Sequence, residues 1–179
     1  MVSDRAPWSE AIAGWIRAAM DDGIALFGVC YGHQLMAHAL GGRVDYHPRG
    51  RELGSRTVHL HAEARADALL ATLPASFAAH LTHEQSVLEL PGQATVMGYT
   101  DHDPHQIVRY GDNAISTQFH PEFTPAIARA CIERRRDHLA AEGADPDLLI
   151  RDLVDAPVPA ALLRRFADAA CPIAGTGTY

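Results

Sequence analysis

The stretch Ile24-Ala25-Leu26-Phe27-Gly28-Val29-Cys30-Tyr31-Gly32-His33-Gln34 decides the fold. Its first half is a short, continuous apolar run. Such a run suits a strand buried on both faces of a parallel sheet. Leu35 to Leu40 then carries a helical pattern, and Gly41-Gly42 ends it. Cys30 therefore sits where a buried strand turns into a helix, with Gly28 and Gly32 on either side. This is the logic of a nucleophile elbow: a sharp turn pushes the side chain out of the sheet, and glycines allow close backbone approach. The first amides of the following helix point at the sulfur, which favours thiolate. The Tyr31 amide lies where an oxyanion would form during attack on a carbonyl. A cysteine at the end of a buried strand is also common as plain packing, so the elbow needs a partner base.

Working outward, residues 7–22 read as an amphipathic helix. Pro7 suits a first turn, Trp8, Ile12, Trp15, Ile16 and Ala19 share one face, and Gly23 stops it. Residues 43–56, with His47, Pro48, Gly50 and Gly54, read as loop. Strands are expected at Thr57–His61, Ala94–Tyr99, Gln106–Tyr110 and Ala114–Phe119, the last two joined by the turn Gly111-Asp112-Asn113. A long helix is expected over 124–141 and another over 157–170, where Leu162, Leu163 and Phe166 form the apolar face. Alternating strand and helix signals predict one α/β domain over residues 1–179, a doubly wound, mostly parallel sheet with flanking helices.

Composition narrows the function classes. The chain has 179 residues, 47% hydrophobic and 21% charged, with a net charge of −7. That balance fits an ordinary globular domain and argues against a nucleic-acid partner, which needs a basic face. Arg134-Arg135-Arg136 reads as a solvated helix face. Cys30, Cys131 and Cys171 form neither a disulfide framework nor a zinc pattern, which predicts a cytoplasmic protein. No apolar run is long enough for a membrane span, and no signal-peptide pattern stands at the N-terminus. Asp101-His102-Asp103-Pro104-His105 reads as loop rather than metal cluster, and His33 and His38 as structural. No cofactor or metal is expected.

Of the eleven histidines, His120 is the best candidate base. It ends the apolar strand Ala114–Phe119, at the kind of strand end where α/β sites form. Glu122, two residues on, is placed to orient its imidazole as the third member of a triad.

Two segments together resemble a family. Gly28-Val29-Cys30-Tyr31-Gly32-His33-Gln34 is similar to the nucleophile motif of class I glutamine amidotransferases, and Gln118-Phe119-His120-Pro121-Glu122-Phe123 to their histidine–glutamate motif. Leu40–Val44, Gly50–Gly54 and Thr82–Val87 with Leu90-Pro91 agree more loosely. The resemblance runs from Met1 to about Phe123 and is nearest to stand-alone members similar to the glutaminase domain of GMP synthase. It implies the family's flavodoxin-like fold, with Cys30 attacking the side-chain amide of glutamine, His120 moving the proton and Glu122 orienting it. It further implies that Gln34 contacts bound glutamine and that the backbone at Glu84 and Gln85 holds the α-amino and carboxylate groups. The implied partners are glutamine and a separate synthetase or other ammonia acceptor; a homo-oligomer is compatible. Two further readings stand beside glutamine hydrolysis: a hydrolase of other γ-glutamyl compounds, and a non-catalytic amidotransferase-like binding module.

The resemblance also implies a front segment. Met1-Val2-Ser3-Asp4 matches the sequence just after a glycine-rich turn that follows two βα units, on the order of 50–60 residues at ~30 per unit. That turn carries the second oxyanion donor. The expectation is that N-terminal strands are missing from this chain, which leaves strand edges uncovered and leaves little glutaminase activity.

Overall fold

The computed structural model describes residues 1–171; the expected domain's last eight positions, 172–179, lie outside the described residues. A short 3-10 turn, Val2–Asp4, leads into α1 (Pro7–Asp21), β1 (Leu26–Val29) and α2 (Tyr31–Ala39). Then come β2 (Arg43–Tyr46), β3 (Glu52–Leu60), β4 (Ser76–His83), β5 (Gln85–Glu89), β6 (Thr95–Tyr99), β7 (Ile107–Arg109) and β8 (Ala114–Thr117). Four helices follow: α3 (Pro125–Arg134), α4 (Arg136–Ala141), α5 (Pro146–Arg151) and α6 (Pro157–Ala170).

Six strands form one sheet in the order β1-β8-β7-β6-β3-β4, and β2 pairs with β5 in a second, two-stranded sheet. The alternation of side chains along β7 and β8 explains the layering. Val108 and Ala114 enter a core shared with α1 and α2, through Ala13, Ile16, Leu35 and Met36. Their neighbours Ile107 and Ile115 enter the opposite core, with Phe77, Phe119 and Leu162 of α6. Period two on a strand sends successive residues to opposite faces, so both faces of the sheet are covered. A third cluster, Leu53, Ile132, Leu139 and Ile150, seats α3, α4 and α5 against the start of β3.

The α/β class stands, but the expected mostly parallel pairing needs correction within this chain. Among the described residues only β1 and β8 run parallel; β8-β7, β7-β6, β6-β3 and β3-β4 are antiparallel. Between β7 and β8 the cause is connection length: a turn as short as 111–113 can only reverse the chain, whereas a parallel neighbour needs a crossover of a dozen or more residues. The 43–56 region is not all loop either. Arg43–Tyr46 pairs with β5, and β3 begins at Glu52. The helix expected over 124–141 breaks at Arg135 (φ −110°) into α3 and α4.

Helix α1 also differs from its reading. Its buried stripe is Ser9, Ala13, Ile16 and Ala19, while Trp8 and Trp15 are 57% exposed and Ile12 is 41% exposed. Small residues let α1 approach α2 closely, so the large side chains are displaced to the neighbouring stripe. Trp8 stacks on Tyr31 with ring centroids 5.6 Å apart. β1 is an edge strand of the described sheet.

Gly28 and Gly32 differ in what they do. A Cβ on Gly28 would lie 2.6 Å from Met36 Sδ and 2.8 Å from the Gly32 carbonyl oxygen, whereas one on Gly32 would meet nothing within 4 Å. Gly28→Ala is therefore expected to destabilise the fold by about 1–3 kcal/mol, the usual cost of overpacking. Gly32→Ala should leave the denaturation midpoint almost unmoved. Urea unfolding of both variants checks the contrast; equal losses would mean that the close approach at Gly28 is not a packing constraint.

Candidate functional site

Cys30 lies between β1 and α2 with φ 48° and ψ −98°. Only it and Arg5 combine positive φ with a non-glycine side chain among the described residues. That conformation is costly for a residue with a Cβ, and three contacts hold it. The Cys30 amide donates to the Thr117 carbonyl at 2.9 Å, so β8 fixes the end of β1. The Gln34 amide donates to the Cys30 carbonyl at 3.1 Å, which starts the helix. Gly28 permits the turn to fold back on itself. The sulfur is thus set at the N-terminus of α2, where the amides of Tyr31, Gly32 and His33 come before any intrahelical acceptor. The Tyr31 hydroxyl is occupied elsewhere, in a 2.9 Å hydrogen bond with Ser9 Oγ.

His120 follows β8, and its amide donates to the His80 carbonyl on β4 at 2.9 Å, which fixes where the ring begins. Nδ1 donates to Glu122 Oε1 at 2.7 Å, and Phe123 stacks on the ring at 4.0 Å. Nε2 is buried and makes no hydrogen bond of good geometry, yet Cys30 acts on the ring's charge. Burial pushes the imidazole pKa down, but Cys30 and Glu122 outweigh it, and the net result is raised to about 9. Burial alone would raise the Glu122 pKa; its bond to His120 reverses that and holds it below the usual value.

The other expected site residues have prior engagements. Gln34 is buried and its Nε2 donates both to the Gln85 carbonyl and to Gln118 Oε1, the latter at 3.0 Å. Only Oε1 is left to face a substrate. The Gln85 carbonyl accepts from Gln34 and sits 3.0 Å from His83 Nδ1, and the Glu84 carbonyl accepts from the His47 amide at 2.9 Å. The Gln85 side chain turns away, to Ser3. Glu84 pairs with Arg51, which also bonds Glu142 of the α4 end at 3.0 Å. Beside that pair opens a cavity of about 530 Å³, bounded by Tyr46, Leu53, Glu84 and Glu142 but not by Cys30 or His120.

His33 and His38, read as structural, each bond a side chain of another element. His33 bonds Ser116 Oγ at 2.7 Å, and burial, partly opposed by Asp103, pushes its pKa down to about 3. His38 bonds Glu10 at 2.8 Å. The 101–105 segment is a tied loop: His102 Nε2 bonds the Gly50 carbonyl at 3.0 Å, and the His105 amide donates to Asp103 Oδ1 at 2.8 Å. Among the described residues no group of three or more potential ligands gathers at one point, and no helix is long and apolar enough to cross a membrane.

Sequence reading passed over Glu52, His83 and Gln118, all buried. Gln118 carried a signal: a polar residue inside the apolar run Ala114–Phe119 needs a partner. Glu52 and His83 lay within the loosely matching segments Gly50–Gly54 and Thr82–Val87, but nothing local shows that they are buried until β3 and β4 are paired.

Known proteins resemble this chain in sequence and fold. The family described as glutamine amidotransferase class-I matches residues 4–135. Gamma-glutamyl peptidase 5 of Arabidopsis thaliana is 32% identical over 111 residues, covering 61% of this chain and 44% of that protein. The glutamine-hydrolysing GMP synthase of Ralstonia pickettii is 33% identical over 153 residues, covering 80% of this chain and 28% of that protein. The chain thus spans less than half the length of these relatives. A glutamine amidotransferase structure from Methylobacillus flagellatus superposes with a TM-score of 0.72 at 26% identity, over 92% of this chain and 67% of that one. One from Thermotoga maritima shares the fold, with a TM-score of 0.77 at 24% identity, over 93% of this chain and 71% of that one. With a family match over most of its length and both motifs inside that match, the chain belongs to the class I glutamine amidotransferases.

Proposed function

We propose that the protein hydrolyses the side-chain amide of glutamine through a γ-glutamyl thioester on Cys30. The observation that carries this reading is the pairing of a strained Cys30 backbone with an imidazole whose charge depends on that same cysteine and on Glu122. In the proposed sequence the Cys30 thiolate adds to the amide carbon, and the oxyanion that forms lies by the Tyr31 amide. The His120 imidazolium gives its Nε2 proton to the amide nitrogen, the C–N bond breaks and ammonia leaves. Water then adds to the thioester carbonyl as His120 takes its proton. Glutamate departs, and the ion pair of thiolate and imidazolium is restored. Glu122 keeps Nδ1–H engaged, so that Nε2 is the atom that faces the sulfur. Ammonia passes to an acceptor, held by a partner synthetase or a further domain.

The similarity to a protein named gamma-glutamyl peptidase favours a second reading, in which the leaving group is an amine or peptide rather than ammonia. The thioester and the triad are unchanged; only the group on the γ-carbonyl differs. Steady-state turnover of glutamine against a panel of γ-glutamyl amines and dipeptides separates the two. The first reading expects glutamine to lead in kcat/KM, and a conjugate that outruns it decides for the second.

Cys30→Ala should abolish turnover in the full-length protein, and His120→Ala should lower kcat by at least about 10²-fold, the usual contribution of general acid–base catalysis. Retained activity in Cys30→Ala contradicts the covalent route, whereas a wild-type protein that turns over neither glutamine nor any conjugate favours a binding module.

The raised His120 pKa makes a separate prediction about pH. A ring NMR titration should place the His120 midpoint near 9, and Glu122→Gln and Cys30→Ala should each move it down towards 6.5. Because the folded value lies above the unfolded one, the charged ring stabilises the fold fully below about pH 6.5, and this is lost as pH rises through about 9. The stability advantage of wild type over Glu122→Gln should shrink over that window; an advantage that grew with pH would reverse the sign of the argument.

A further inference from the structure

Behind the segment 83–85 the core holds a carboxylate. Glu52 opens β3 directly opposite His83 on β4 and is only 2% exposed. Three donors converge on it. His83 Nε2 lies 3.0 Å and Gln106 Nε2 2.8 Å from its Oε2, and Thr100 Oγ1 donates to Oε1 at 2.7 Å. A buried carboxylate is costly unless it is paired and hydrogen-bonded on this scale.

The second nitrogen of His83 lies 3.0 Å from the Gln85 carbonyl. A carbonyl oxygen can only accept, so Nδ1 donates to it, while Nε2 faces Glu52. The His83 ring is therefore a rigid link between the carboxylate and the Gln85 backbone. Gln34 Nε2 donates to the same carbonyl from the other side. Four residues back along α2, the Gln34 amide holds the Cys30 carbonyl. A continuous line of hydrogen bonds runs from Glu52 through His83, Gln85 and Gln34 to the backbone of the nucleophile. Thr100 and Gln106 fix its far end.

We propose that Glu52 is a positioning residue. Through His83 and Gln34 it sets the spacing between Cys30 and the 84–85 backbone, the spacing that the α-amino and α-carboxylate groups of a γ-glutamyl substrate require. It governs substrate affinity rather than cysteine reactivity. This rests on the reading above, in which Cys30 attacks a γ-glutamyl carbonyl and the 84–85 backbone holds the α-groups. A purely structural Glu52 would cost stability but leave the folded molecules with unchanged affinity.

The test uses two electrophiles on Cys30 in the full-length protein. One is a glutamine chloroketone, in which a chloromethyl ketone replaces the side-chain amide and the α-groups remain. The other is iodoacetamide, which has no α-groups. In Glu52→Gln the chloroketone concentration for half-maximal labelling rate should rise at least about tenfold, the order of one charge-assisted hydrogen bond. Its limiting rate and the iodoacetamide rate should stay within about twofold, the signature of lost binding without lost chemistry. Thr100→Val, which removes one donor to Glu52 and keeps the charge, should give a smaller rise, and Thr100→Ser should restore wild-type values. The Thr100 pair carries the test if Glu52→Gln does not fold. Unchanged half-saturation in folded variants overturns the proposal, and so does an equal loss of labelling by both reagents. Failure of the underlying reading looks different: the wild-type chloroketone rate would not saturate at all.

Discussion

The backbone of Cys30 is the constraint on which the rest of the site depends. A non-glycine residue at φ 48° and ψ −98° costs of order 1–3 kcal/mol and persists only where its surroundings over-determine it. Here they do so from three directions. β8 holds the amide, α2 holds the carbonyl, and the absence of a side chain on Gly28 lets the turn close against Gly32 and Met36. The parallel pairing of β1 with β8 acts beyond the sheet. It pairs Val29 with Thr117 at the ends of both strands, so Cys30 follows β1 beside the chain that leaves β8 and reaches His120 three residues after Thr117. One register thus sets where Cys30 and His120 lie relative to each other.

Electrostatics then divides the histidines into two kinds. His33 is fully buried, and the Asp103 carboxylate only partly offsets the desolvation that keeps it neutral. His120 is buried too, but it lies between Cys30 and Glu122, and their pull exceeds the cost of burial. Residues of one type thus take opposite charge states because of what surrounds them. The polar side chains in the core follow the same rule: Glu52, His83, Gln34 and Gln118 are buried only because each finds partners on a different element.

Much of the site was legible in the sequence because its signals are local. The apolar run ending in Gly28-Val29-Cys30, the helix after it and the His120-Pro121-Glu122 segment each announce themselves within ten residues. So do the turn at 111–113 and the helix over 157–170. What was not legible depends on distant neighbours. β4 and β5 carry His80, His83, Gln85 and Ser86 at buried positions, so their patterns do not read as core strands until the facing donors and acceptors are known. The face of α1 was misread for a related reason. Periodicity marks the apolar stripe, but close contact with α2 selects the small residues beside it. The parallel share of the sheet was overestimated because alternating strand and helix signals do not reveal how many strands return by short turns.

The central claim is a covalent bond between Cys30 and the γ-glutamyl group. It is tested most directly by acid-quenching the full-length protein during turnover of saturating glutamine and reading the mass of the peptide that contains Cys30. The account predicts a glutamyl adduct on Cys30 that neutral hydroxylamine removes, as expected of a thioester. Glutamine turnover with Cys30 unmodified, or with the adduct on another residue, would contradict it.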